Sequence, residues 1–89
     1  MKALVIIPTY NERENIEKLL STVLSKDAAL EVLIVDDNSP DGTAEIVKSM
    51  MASEGRIHLL ERPGKMGLGS AYVAGFKYAL QRDYEFILE

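Results

Sequence analysis

Residues 31–43 read EVLIVDDNSPDGT, and this stretch decides the fold. The unbroken apolar run at residues 32–35 predicts a β-strand that is buried on both faces. The run ends at Asp36 and Asp37, and turn-forming residues follow until Thr43 begins a pattern of helical period. Because open α/β sheets bind ligands at the carboxyl ends of their strands, the two adjacent carboxylates indicate a binding site here.

The composition is that of a small soluble domain. The chain has 89 residues, of which 47% are hydrophobic and 27% charged, and its net charge of -4 argues against a nucleic-acid partner. It has no cysteine, which excludes disulfides and thiolate metal sites. No apolar run approaches the roughly 18 residues of a membrane span, so we expect a soluble, cytoplasmic chain.

Strand and helix signals alternate along the whole chain. Apolar runs predict four strands, at residues 3–7, 30–35, 57–60 and 84–88. Helical spacing predicts three helices between them, at about residues 11–25, 43–54 and 68–81. The order βαβαβαβ predicts one α/β domain over residues 1–89, with a mainly parallel sheet between helices on both faces, a Rossmann-like three-layer α/β/α fold.

The segment after the first strand has two interpretations. Pro8 is expected to end the strand, because proline has no N–H for the ladder, and Asn11 with Glu14 resembles a capping box at a helix start. In the functional interpretation this segment is a pocket wall. The ring of Tyr10 would stack on a base, and the Thr9 hydroxyl and the Glu12 carboxylate would bond base or ribose edges.

Asp36 and Asp37 favour a ligand role. Two adjacent carboxylates at the end of a buried strand repel each other and lose solvation, so a purely structural sheet gains little from both. We interpret them as acceptors for base or ribose donors, or as indirect partners of a metal. His58, the only histidine, is expected to be structural and has no evident partner in the sequence.

Residues 64–69, GKMGLG, invite a phosphate-binding interpretation, with Lys65 beside the start of a helix. The stretch fits neither the Walker loop nor the dinucleotide-binding fingerprint, because its lysine and its glycines stand at other positions. By spacing alone, a flexible loop is the simpler interpretation.

Three blocks nevertheless carry a family resemblance: IPTYNEREN at residues 7–15, VDDNSPDGT at residues 35–43 and RPGKMGLGSAY at residues 62–72. Together they resemble the opening half of a family 2 inverting glycosyltransferase, in particular the dolichol-phosphate mannose synthases and their bacterial polyprenyl-phosphate relatives. The resemblance implies the nucleotide-binding half of a GT-A fold. The residues that it implies for the nucleotide site are Pro8, Tyr10, Glu12, Val35, Asp36 and Asp37 around the base and ribose, and Lys65 and Gly67 near the diphosphate.

The same resemblance implies a reaction. A hexose, with GDP-mannose the preferred donor and UDP-glucose or another donor open, would pass to a polyprenyl (dolichyl) phosphate with inversion. Mg²⁺ or Mn²⁺ would be held by an Asp-x-Asp motif expected just beyond Glu89, and we expect no metal on this chain alone. The chain would then be a truncated nucleotide-sugar-binding half without the acceptor half, inactive by itself, and the full-length enzyme would lie at the cytoplasmic face of a membrane.

Two alternatives belong to other classes. A receiver-like, phospho-accepting signalling domain also uses a small parallel sheet with a carboxylate cluster. An inactive folding module that self-associates through an exposed sheet edge is the other.

Overall fold

The computed structural model describes residues 2–89, in which four strands alternate with three helices. The strands are β1 (Ala3–Thr9), β2 (Leu30–Asp36), β3 (Ile57–Glu61) and β4 (Phe86–Leu88). The helices are α1 (Ile16–Leu24), α2 (Thr43–Met51) and α3 (Leu68–Leu80). Each predicted element is present, and the α/β class is confirmed.

The four strands form one sheet in the order β3-β2-β1-β4, and all pairs are parallel. Val5 of β1 lies opposite Val32 on one side and Leu88 on the other. The chain therefore proceeds from β1 outward to β3 and then returns past β1 to β4. This reversal creates a crevice above the carboxyl end of β1, where ligands bind in open α/β sheets.

Helices cover both faces of the sheet. Helices α1 and α2 pack on one face, and their core contains Ile16, Leu20, Leu24, Val32, Ile34, Val47 and Ile57. Helix α3 packs on the other face, where its Ala71 and Ala79 form a core with Leu4, Ile6, Leu33 and Val35 of the strands. Strand β2 contributes alternate residues to the two cores, which is why its apolar run is unbroken. The three-layer, Rossmann-like arrangement is thus confirmed.

The end of β1 differs from the prediction. Pro8 does not stop the strand, which continues to Thr9 with Pro8 opposite Val35. The Thr9 carbonyl accepts a hydrogen bond from the Asp37 amide on the β2 side, so the neighbouring Pro8 directs its nitrogen to the other side. Strand β4 has already ended there, because Leu88 lies opposite Val5. Among residues 2–89, the missing N–H of Pro8 therefore costs no ladder bond.

The start of α1 also differs. The helix begins at Ile16, five residues after the predicted cap at Asn11, and the capping box is wrong. Asn11 has a φ of 58°, in the left-handed region, and the amides of residues 11–13 donate to side chains of residues 39–43. These amides are satisfied by a neighbouring loop, so the helix has no need to begin there.

His58 has a partner, contrary to the expectation from sequence. Its Nε2 lies 2.7 Å from Glu31 Oε1, which also accepts a hydrogen bond from the Tyr84 hydroxyl at 2.8 Å. Lys2 Nζ lies 3.8 Å from the other oxygen of Glu31. These residues stand at the amino ends of the strands, far from the crevice, and the cluster ties the beginnings of all four strands together.

Gly75 sets how closely α3 approaches the sheet. A Cβ atom at this position would lie 2.6 Å from Cγ2 of Ile6, a fully buried, β-branched side chain that has little room to move. Gly69 belongs to the same helix, and a Cβ there would meet nothing within 4 Å.

We expect Gly75→Ala to lower the free energy of unfolding by about 1–2 kcal/mol, because overpacking outweighs the helix propensity that alanine gains. Gly69→Ala, the matched control, should leave the chain equally stable or stabilise it by up to about 1 kcal/mol. Urea titration followed by circular dichroism measures both. Equal midpoints for the two variants would contradict the close packing of α3 on Ile6.

Candidate functional site

A cleft of about 140 Å³ opens above the carboxyl end of β1, between the loop after β1 and the start of α3. Its lining residues are Pro8, Thr9, Tyr10, Asp37, Lys65, Gly67, Leu68 and Ala71. The first six are candidates from the sequence, and they come from three separate segments of the chain. The parallel sheet brings them together because all of its strands end at the same rim.

Asp36 is buried and does not line this cleft. Its side chain is fully inaccessible, and Oδ1 accepts hydrogen bonds from the hydroxyls of Thr9 and Ser39, each at 2.7 Å. Its Oδ2 accepts from the Ser39 amide at 3.0 Å. Asp36 does not line the cleft in this structure, and its contact with a ligand stays a prediction. The carboxylate instead joins the end of β1 to the turn after β2.

Further contacts hold the loop after β1, residues 10–15, to the acidic loop, residues 37–42. The Asn11 amide donates to Ser39 Oγ at 2.9 Å, and the Arg13 amide donates to Asp41 Oδ2 at 3.1 Å. The Glu12 amide donates at 3.1 Å to the hydroxyl of Thr43, the first residue of α2. The turn formers after β2 thus hold the loop that carries Tyr10.

Asp37 forms a buried ion pair with Arg62. Arg62 Nε lies 2.6 Å from Oδ1 and Nη2 lies 2.9 Å from Oδ2, a two-pronged arrangement that fixes both side chains. The remaining guanidinium nitrogen, Nη1, donates to the Ser70 hydroxyl at 2.6 Å in the first turn of α3. The Met66 amide also approaches Asp37 Oδ2 at 3.4 Å. Arg62 therefore couples the end of β2 to the start of α3.

The two hydrogen bonds from Arg62 hold the pKa of the Asp37 carboxyl below its ordinary value of 3.8. Burial acts in the opposite direction, and the Met66 amide and the charges of Arg62 and Lys65 add to the lowering. Asp37 is consequently ionised at neutral pH, and some acceptor capacity of its carboxylate is left for a ligand in the cleft.

The glycine loop, residues 62–67, forms the wall of the cleft opposite Tyr10. Gly67 has a φ of 92°, in the region that side chains rarely adopt, and this turn leads directly into α3. Lys65 extends from the loop so that its ammonium group lies 4.9 Å from the centre of the Tyr10 ring. A cation and an aromatic ring thus meet across the mouth of the cleft.

Two further predicted residues do not line the cleft. The Val35 side chain is fully buried in the core beneath α3, because β2 alternates its residues between the two faces. Glu12 is partly exposed, and the structure uses its backbone to hold the loop.

Sequence reasoning missed the role of Arg62, together with the lining residues Leu68 and Ala71. One signal could have identified Arg62. It comes directly after β3, so its guanidinium reaches the rim at which Asp37 follows β2.

The residues that the structure describes do not suit a divalent metal ion. Among residues 2–89 no group of three or more His, Asp or Glu side chains is placed to hold one. The two carboxylates nearest the cleft are engaged, Asp36 by hydroxyls and Asp37 by the guanidinium of Arg62. Over the same residues, no helix is long and apolar enough to cross a bilayer.

We expect the Asp37–Arg62 pair to make the free energy of unfolding depend on pH in the acidic range. Because the pKa of Asp37 is lowered by folding, its contribution is complete above the unfolded pKa near 3.8 and disappears as the pH falls through the folded value. Asp37→Asn should reduce the free energy of unfolding by about 2–4 kcal/mol at pH 7, and the gap to the wild type should shrink below pH 4.

Urea titrations between pH 2.5 and 7 measure this gap. Asp83→Asn is the matched control, because Asp83 is exposed and far from the cleft, and it should change little at any pH. A gap for Asp37→Asn that stays constant down to pH 2.5 would contradict the assignment of the ion pair.

Comparison with known proteins places the chain in a family. The profile of Glycosyl transferase family 2 matches residues 4–88. A polyprenol monophosphomannose synthase of Mycolicibacterium smegmatis is 44% identical over 89 residues, and the match covers 99% of this chain and 34% of that protein. An undecaprenyl-phosphate mannosyltransferase of Micrococcus luteus is 43% identical, covering 100% of this chain and 37% of the relative. A dolichol-phosphate mannosyltransferase of Pyrococcus furiosus is 44% identical over 81 residues, and the match covers 89% of this chain and 23% of that protein.

A solved structure of another mannosyltransferase is similar to this chain in fold. The mannosyltransferase PcManGT from Pyrobaculum calidifontis, in complex with GDP-Man and Mn²⁺, superposes with a TM-score of 0.80 at 31% identity, over 88% of this chain and 24% of that one. The chain thus spans between about a quarter and a little over a third of the length of the proteins it matches. The architecture and the match over almost every residue lead to one conclusion: this chain belongs to glycosyltransferase family 2.

Proposed function

We propose that the cleft binds the nucleotide of a sugar donor, with GDP-mannose the preferred donor, within an inverting glycosyltransferase that acts on a polyprenyl (dolichyl) phosphate. One observation carries the proposal: an aromatic ring, a buried carboxylate and a lysine beside a helix start meet in a single cleft of a family 2 chain. The names of the relatives, all mannosyltransferases or mannose synthases of lipid phosphates, support the sugar and the acceptor. The GDP-Man complex of the similar structure supports the donor.

Each wall of the cleft has a role in this proposal. The base stacks on Tyr10 and lies against Pro8, and the remaining acceptor capacity of Asp37 receives an N–H from the base. Guanine has adjacent N–H donors at its Watson–Crick edge, which suits a fixed carboxylate. Because Arg62 holds Asp37 in place, the carboxylate needs no rearrangement to accept them.

The diphosphate would lie toward the glycine loop. The first-turn amides of α3 have no partners within the helix, and the helix dipole favours negative charge there. Lys65 supplies a full positive charge beside them, and Gly67 keeps the wall free of a side chain. This arrangement gives the phosphate interpretation of residues 64–69 a physical basis that spacing did not.

The proposed reaction is a direct displacement. A phosphate oxygen of the lipid acceptor attacks the anomeric carbon, the bond from that carbon to the diphosphate oxygen breaks, and the configuration inverts as GDP leaves. The acceptor oxygen is already ionised, so it requires little help from a general base. The residues of this chain would bind and orient the donor.

We further propose that Mg²⁺ or Mn²⁺ acts in the full-length enzyme through side chains other than those of residues 2–89. The engaged carboxylates of the cleft support this proposal. The 89-residue chain should therefore bind nucleotide without turnover. A lipid-phosphate acceptor would place the working enzyme at a membrane surface, and we propose the cytoplasmic face. The receiver-like alternative loses its support, because Asp36 and Asp37 are committed to protein partners and the family match is to glycosyltransferases.

Self-association is a separate proposal that the exposed edge of the sheet supports. Strand β4 pairs with β1 on one side only, and Phe86 and Leu88 are about half exposed. We expect sedimentation velocity to reveal concentration-dependent dimers that Phe86→Lys abolishes. A chain that remains monomeric at millimolar concentration would contradict edge pairing.

Calorimetric titration with GDP and with UDP tests the proposed function. We expect saturable GDP binding that Tyr10→Leu weakens by at least about fivefold, because stacking on an aromatic side chain contributes about 1–3 kcal/mol per base. Tyr10→Phe, the matched control, keeps the ring and should bind within about twofold of the wild type. Tyr10 is more than a third exposed, so both variants should fold.

The comparison of GDP with UDP distinguishes a wrong donor nucleotide from a wrong binding site. A preference for UDP would redirect the donor while retaining the site. Absence of saturable binding of either nucleotide to a chain that is folded by circular dichroism would overturn the proposal for this chain.

A further inference from the structure

The contact between Lys65 and Tyr10 lies at the place where the proposed function requires a base. The ammonium nitrogen is 4.9 Å from the ring centre, within the range of a cation–π interaction. Both residues line the same cleft. Two other cation–π pairs, of Lys2 with Tyr84 and of Arg82 with Tyr78, involve no residue that lines this cleft.

We propose that Lys65 makes the cleft select a nucleoside diphosphate over the corresponding nucleoside, because its ammonium group covers the stacking face of Tyr10 until a diphosphate draws it away. This inference rests on the proposed nucleotide site, and adds to it a residue that determines which nucleotide species is accepted. One ring face holds either a cation or a base, so a base must displace Lys65 before it can stack.

The two kinds of ligand differ in what they offer the displaced lysine. A nucleoside is uncharged, so its binding removes the cation–π interaction and gives the ammonium group only water in return. A diphosphate carries several negative oxygens, and a charge-assisted hydrogen bond to one of them is stronger than the cation–π interaction that it replaces. Displacement of Lys65 therefore weakens the binding of a nucleoside, whereas for a nucleoside diphosphate its cost is offset by the new hydrogen bond.

The structure allows Lys65 to move without disturbing the site. The side chain is exposed, and the neighbouring Gly64 has open space where a side chain would be. The fixed parts of the loop are the Arg62 guanidinium, which holds Asp37 and Ser70, and the Gly67 turn. A rotation of the lysine side chain can thus transfer its charge from Tyr10 toward the first turn of α3 while these anchors stay in place.

The test compares guanosine and GDP as ligands of the wild-type chain and of Lys65→Met. An exposed cation–π interaction corresponds to about a two- to fivefold change in affinity, so Lys65→Met should bind guanosine about two- to fivefold more tightly than the wild type. The same variant should bind GDP at least about fivefold more weakly, because it lacks the charge that meets the diphosphate. Titrations followed by NMR measure both ligands, since they remain quantitative for weak binding.

Two control experiments test why Lys65→Met should strengthen guanosine binding and weaken GDP binding. Lys77→Met removes the same charge from an exposed position of α3 that does not line the cleft, and it should leave both affinities within about twofold. In a Tyr10→Leu background, Lys65→Met should no longer strengthen guanosine binding, because no ring face remains to be uncovered.

A measurement without ligand completes the test. The ε-methylene protons of Lys65 should show an upfield ring-current shift in the free chain that Tyr10→Leu removes and that GDP reverses. If Lys65→Met leaves guanosine affinity unchanged or weakens it while the wild type binds GDP, the selectivity proposal is wrong and the nucleotide site stands. If the folded wild type binds neither ligand, the proposed function and this inference both fail.

Discussion

Two consecutive carboxylates, Asp36 and Asp37, are buried at the end of β2, and the loops around them are arranged to satisfy both. A buried carboxylate without partners costs several kcal/mol, so each must find donors within the fold. Asp36 accepts hydrogen bonds from hydroxyls and an amide, and Asp37 accepts them from the guanidinium of Arg62. Among the described residues, no buried side-chain nitrogen or oxygen lacks a partner. This requirement joins the ends of β1, β2 and β3 into one rim.

The rim combines fixed and movable parts. Bonds from residues 39–43 hold the loop that carries Tyr10, and Arg62 holds the start of α3 against Asp37. The glycine loop between these anchors carries Lys65, whose side chain is exposed. A site of this kind can present a preformed surface to a base while one charge remains free to follow a phosphate, which reduces the ordering cost of binding.

The topology explains how a chain that spans about a third of the length of its relatives can contain such a site. The reversal of the chain at β1 needs only four strands, and it places the crevice above a strand with neighbours on both sides. The relatives that this chain matches are roughly three to four times as long in total. The part that is similar to them contains the three loops that follow β1, β2 and β3, and these loops support a role in donor binding.

The sequence by itself determined the class of the fold, the order of its elements and the identity of most of the lining residues. Apolar runs and helical periods are local signals, and the parallel arrangement follows from their alternation. The roles of the two carboxylates depended on tertiary structure, because only the approach of Thr9, Ser39 and Arg62 decides which one faces the cleft. The start of α1 and the end of β1 were misplaced for the same reason. In each case, residues distant in the chain decide which backbone groups have hydrogen-bond partners.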